Sequence, residues 1–149
     1  MQTSWQKIVD ITQAFADEHL QVKRFKSDFF EQLDSFVNEG EECKIMYLVP
    51  PSGLISENTD TYTAELYVLD QIQEGRENIT TIVSDAHLIL TDFFKYIRLS
   101  YDLEIDISGD GSRESINNSL LDNYAGAKAT LTFEVDSIGV CQLPLESNL

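Results

Sequence analysis

Hydrophobic positions change period several times along the chain, and each change marks an element. Trp5, Ile8, Val9, Thr12, Phe15 and Ala16 recur at the spacing of one helix face. Thr3 or Ser4 supplies the N-cap oxygen, and the pattern fades near His19. Gln21 to Lys26 alternates Val22 with Arg24 and predicts a short strand or an extended arm. From Phe29 the spacing of Leu33, Phe36 and Val37 predicts a short helix, which Gly40 can stop.

The run CKIMYLVPP predicts a buried strand closed by Pro50 and Pro51, and SGLISENTD a polar loop projecting at about 50–60. In TYTAELYVLD, Tyr62, Ala64, Leu66 and Val68 share one face of a strand, and Thr63, Glu65, Tyr67 and Leu69 the other. After a turn at Glu74-Gly75, a long helix is predicted from about Asn78 to Leu99. Its buried stripe is Ile79, Ile82, Val83, Ala86, Ile89, Leu90, Phe93 and Ile97.

YDLEIDI alternates as a strand, with Leu103, Ile105 and Ile107 inward and Asp102, Glu104 and Asp106 outward. A polar connection follows, leading to a turn at Asp122–Gly126. In GAKATLTFEVD, Ala127, Ala129, Leu131, Phe133 and Val135 point inward, while Lys128, Thr130, Thr132 and Glu134 point outward; an irregular tail is read from about 137. With no repeat and no linker, these elements predict one α+β domain over residues 1–149. Its sheet is antiparallel or mixed, and the long helix and the N-terminal helix pack on one face.

Charge alters this picture more than composition does. The 149 residues are 42% hydrophobic, enough for a packed core, yet 26 acidic residues against 10 basic ones leave a net charge of −16. That balance disfavours direct reading of DNA or RNA, which needs a basic patch. Three of the ten basic residues fall in Lys23, Arg24 and Lys26, whereas Arg113 and Lys128 alone face nine acids after Leu99. A basic edge on an acidic body suits head-to-tail association of copies, and such heterologous contacts generate rings when the rotation closes. Candidate interface residues are therefore Lys23, Arg24 and Lys26, with Leu54 and Ile55 from the predicted loop. Asp102, Glu104, Asp106 and Asp110 form a candidate acidic surface.

Catalytic patterns are absent. No HExxH, GxSxG or P-loop occurs, and His19 and His87 read as a helix-end and a surface histidine. In IDISGDGSRESIN, residues 105–117, Asp106, Ser108, Asp110 and Gly111 match the start of an EF-hand calcium loop. The twelfth position is Asn117 where a bidentate Glu is needed, and a strand precedes the loop where a helix is needed. No metal or cofactor is expected. Cys43 and Cys141 stand apart and read as reduced thiols in a cytosolic setting, a disulfide between them being the lesser reading. No signal peptide is read at the start, and no segment reaches the roughly 18 apolar residues of a membrane span.

Three blocks together carry a resemblance. They are the helix end His19-Leu20 with Val22 to Phe25, the stretch YTAELYVLDQIQEGRENITTIVSDAHLILTDFFKYI, and the ending LLDNYAGAKATLTFEVDSIGVCQLP. They resemble the small tail-completion or tail-terminator-like proteins of tailed bacteriophages. The matching residues are Tyr67, Val68 and Asp70; Val83, Ser84 and Asp85; Asp122, Ala125 and Gly126; and Cys141 with Pro144. The pattern departs at Ala127-Lys128, where a bulky aromatic is expected.

The resemblance implies a non-enzymatic virion protein, in rings of six or twelve copies, at the head–tail junction or the top of the tail. Portal, connector or tail proteins would be its neighbours, and DNA would pass without specific binding. Assembly would take place in the host cytoplasm. An acidic bore would suit such a channel by keeping DNA from adhering. The alternative is a free acidic binding protein, an inhibitor or DNA mimic, that occupies a basic partner.

Overall fold

The computed structural model describes residues 4–38, 44–55, 59–72, 77–100, 104–116 and 124–136. Thr3, Gly40, Cys43, the Glu74-Gly75 turn, Asp102, Leu103, Asn117, Asp122, Cys141, Pro144 and the tail from 137 lie outside them.

Two long strands, β4 (Thr59–Gln71) and β7 (Tyr124–Asp136), pair antiparallel along their whole length, from Thr59 opposite Asp136 to Gln71 opposite Tyr124. Each is flanked by a strand in two pieces. Beside β4 run β2 (Ile45–Leu48) and β3 (Ser52–Ile55), one after the other and both antiparallel to it. Beside β7 run β5 (Ile105–Ile107) and β6 (Ser112–Ile116). β1 (Arg24–Ser27) adds a parallel partner to β2, so the seven-stranded sheet is mixed.

Among the described residues three helices complete an α+β domain: α1 (Ser4–Glu18), α2 (Leu33–Asn38, entered through a 3-10 turn at Phe30–Gln32) and α3 (Ile79–Leu99). α1 and α3 cover one face, as the periodicity predicts. Ile8 and Phe15 from α1, and Ala86, Ile89, Phe93 and Ile97 from α3, join Leu66, Val68, Leu131 and Phe133 in the main core. Phe15 and Phe93 meet edge to face with ring centroids 5.2 Å apart, which ties the helices together. Of the predicted α3 stripe, Ile79 and Val83 are only half-buried.

α2 covers part of the opposite face. Leu33, Phe36 and Val37 pack there on Ile45, Tyr47, Tyr67, Leu69, Ile116 and Tyr124. Strands are thus buried on both faces at this end, and β2 has no exposed side chain. At the other end the second face is a half-exposed row of polar residues, including Thr61, Thr63, Thr130 and Thr132.

Three expectations change: the described part of the predicted Asp122–Gly126 turn, Tyr124–Gly126, is the start of β7, and two polar segments are strands. Within the predicted projecting loop, Ser52–Ile55 is strand β3, its backbone paired to Asp60–Thr63. Within the predicted polar connection, Ser112–Ile116 is strand β6. Both are edge segments whose side chains are largely exposed, so neither shows the apolar alternation that marks a half-buried strand.

Candidate interaction surface

The register along β7 explains the stretch that resembled an ion loop. Ile107 lies opposite Phe133 and Ser112 opposite Thr130, so the outer strand carries two more residues than the β7 segment it faces. The surplus is a bulge at Ser108–Gly111. Its start is anchored by the Ser108 amide, which donates to the Thr132 carbonyl at 2.8 Å, and Gly109 takes a left-handed φ of 64°. Arg98 on α3 holds the bulge from above. Its guanidinium donates to the Gly109 carbonyl, lies 3.7 Å from the Asp106 carboxylate and stacks 5.0 Å over the Phe94 ring.

Lifting the edge strand opens a cleft of about 470 Å³ between it and α3. Ala129 and Leu131 form the floor, Leu90 and Phe94 the helical wall, and Asp110 and Arg113 the lip. The Arg113 guanidinium reaches across to α3, donating to Thr91 Oγ1 at 2.6 Å and to the His87 carbonyl at 3.5 Å. Among the described residues both of these partners are neutral, so the positive charge stands at the lip without a paired carboxylate.

Next to it, His87 Nε2 lies 3.0 Å from Ser115 Oγ. Burial and then the Arg113 charge lower the pKa of this imidazole, which favours its neutral form. Its buried Nδ1 has no partner among the described residues, so the pair lacks there the carboxylate that holds a catalytic imidazole in its tautomer. Among the described residues no three His, Cys, Asp or Glu side chains gather as a metal site. Nor is any helix among them long and apolar enough to cross a membrane.

On the other face, Lys128 Nζ bridges Glu65 at 2.7 Å and Glu114 at 3.1 Å, joining β4, β7 and β6. The Glu65 bond above all holds this ammonium above the usual lysine range. Tyr67 donates to the same Glu65 carboxylate at 3.2 Å. These groups satisfy one another and act as a cross-strand brace.

The predicted surface residues divide by position. Arg24 points to α2, donating to the carbonyls of Phe36 at 3.0 Å and Val37 at 3.3 Å and lying 4.7 Å over the Phe36 ring. Lys26 shares that ring and approaches Asp28 at 3.8 Å. Lys23 is exposed, and its amino group donates to the Leu20 carbonyl at 3.3 Å. Leu54, 75% exposed, and Ile55 lie on β3. Glu104 pairs with Lys7 at 3.0 Å, Asp106 precedes the bulge and Asp110 lies within it. The basic trio and the described acids therefore occupy opposite edges of the sheet. The cleft and its arginine lacked a signal in the sequence, because a register offset has no local pattern.

No protein-family model matches the chain, and no curated protein matches it. Several of the described residues that carry the bacteriophage resemblance take structural positions. Tyr67 and Val68 are buried in β4, and Asp85 on α3 pairs with Lys44 at 3.0 Å. Ala125 and Gly126 sit in β7, and Ala127 is fully buried opposite Val68.

Proposed function

We propose that the protein is a structural component of a tailed-bacteriophage virion. Copies associate head to tail into a ring at the head–tail junction or the top of the tail, around the path that DNA takes. The motif resemblance supplies the class. The observation that carries the reading is the asymmetry of the sheet's two sides. β1 and β3 bound one side with Lys23 and Lys26, and β5 and β6 bound the other, where Asp106, Asp110 and Glu114 outnumber Arg113. Among the described residues each of these four strands pairs with one neighbour, which leaves edges at which a second copy can join.

The net charge of −16 fits a role beside DNA that must slide and not adhere. Portal, connector or tail proteins would be the neighbours, and no cofactor enters. Light scattering over a range of concentrations, followed by negative-stain imaging, tests the proposal. Discrete rings are the expected result, and a monomer at every concentration would overturn it.

A further inference from the structure

We propose that the cleft between α3 and the β5–β6 bulge receives the α1–β1 turn of a second copy, with Leu20 as the inserted side chain. The inference rests on the ring reading and names the contact that would build it.

Leu20 is the most exposed large hydrophobic among the described residues, at 91%. It does not sit on a loose tip. The His19 amide donates to the Phe15 carbonyl at 2.9 Å, and the Val22 amide to the His19 carbonyl at 3.2 Å. The Gln21 amide donates to His19 Nδ1 at 3.2 Å, while His19 Nε2 lies 3.3 Å from Asp92 on α3. Lys23 closes the turn on the Leu20 carbonyl. A leucine held out by such a lattice of bonds is a preorganised anchor, since little freedom remains to be lost on docking.

Charges around the two sites are complementary. Exposed Asp17 and Glu18 precede Leu20, and exposed Lys23 follows it. Around the cleft, Arg113, which has neutral partners among the described residues, and Asp110 stand on the lip beside the apolar floor of Ala129 and Leu131. The acids and the base that flank Leu20 thus have a base and an acid available to them at the cleft. The turn leads into β1 and the cleft adjoins β5 and β6, at opposite edges of the sheet and both in the layer occupied by α1 and α3. Occupancy of one copy's cleft by the next copy's turn is a heterologous contact, as a ring demands.

Sedimentation velocity on the full chain tests this with three variants. Leu20→Asp disables the turn. Arg113→Glu disables the cleft, and Ser112→Trp fills it from an exposed lip position. Each should weaken self-association at least about tenfold, as loss of a central anchor does. A mixture of the Leu20→Asp and Arg113→Glu proteins retains one good turn and one good cleft. It should form a one-to-one dimer that does not grow. Thermal melts of each variant confirm that it is folded. If the wild type associates while folded Leu20→Asp and Ser112→Trp associate equally well, the contact is wrong and the ring reading survives. A wild type associating while the mixture yields no dimer would also sink the contact. A wild type that is monomeric at the highest concentration overturns both proposals.

Discussion

Gly126 lies so close to Val68 across the β4–β7 ladder that a Cβ on residue 126 would stand 1.9 Å from the Val68 carbonyl oxygen. The obstacle is backbone in the middle of the sheet, so the strands themselves would have to separate. Gly126→Ala is expected to cost about 2–4 kcal/mol, comparable to severe overpacking of a core. Gly109 is the contrasting case, with open space around its Cβ position and a φ of 64°. Gly109→Ala should cost only the left-handed conformation, about 1–2 kcal/mol. Urea unfolding of the two variants measures the difference, and equal losses would contradict the argument.

Elements that bury a continuous stripe were legible in the sequence. Ile82, Ala86, Ile89, Leu90, Phe93 and Ile97 announce α3 because the same spacing that forms the helix also aims it at the sheet. Alternation in 62–69 and 127–135 likewise announces β4 and β7. The edge pieces were not legible. Ser112, Arg113, Glu114 and Ser115 are all exposed, and only their pairing to β7 makes them a strand. The second core escaped notice because it brings Leu33, Phe36 and Val37 against Tyr67, Leu69 and Tyr124, which are distant in sequence. The cleft depends on two surplus residues relative to a strand distant in sequence, and Leu20 counts as exposed only once the turn around it is folded.

Tyr47 and Tyr67 predict an alkaline weakness. Tyr47 donates to the Phe29 carbonyl at 2.7 Å, and burial first, then Asp28 and Glu31, raise its pKa to about 12. Burial first, then Glu65, raises Tyr67 to about 12 as well. Unfolded tyrosine ionises near 10, so between these values the unfolded chain sheds protons that the folded one keeps. Stability from this source is complete below pH 10 and is lost as pH rises toward 12. Each group should contribute a fall of about 1.4 kcal/mol per pH unit across that window. Urea titrations at pH 9 and 11 check the slope, and Tyr67→Phe should flatten it. Absorbance titration of tyrosinate should show Tyr47 and Tyr67 ionising late.

Asp85, one of the residues behind the family resemblance, is expected to matter for folding. Its partner Lys44 also donates to Gln21 Oε1 at 2.8 Å, and the Lys44 carbonyl accepts from the Lys23 amide at 2.8 Å. This lysine therefore joins α3, the end of α1 and the entry to β2. Lys44→Met should cost about 1–2 kcal/mol, because the half-buried Asp85 carboxylate then loses its partner. Lys95→Met, at an exposed position on the same helix, should change stability by less than about 0.5 kcal/mol. Thermal unfolding of the pair measures the contrast, and equal shifts would remove Asp85–Lys44 as a brace.

The basic trio should separate into two roles. Arg24 satisfies two carbonyls at the end of α2 and stacks on Phe36, so Arg24→Gln is expected to cost about 1–2 kcal/mol of stability. Lys23 and Lys26 lie nearer solvent, and a Lys23→Gln, Lys26→Gln double variant should stay within about 0.5 kcal/mol of the parent. The same double variant should weaken self-association, and its loss should shrink as salt is added, because exposed charges are screened within about 10 Å at 0.1 M ionic strength. Neutralising all three residues together would confuse a folding defect with an interface defect. The double variant avoids this, and sedimentation at low and high salt provides the measurement. Unchanged association at low salt would exclude Lys23 and Lys26 from the contact while leaving the structural role of Arg24 intact.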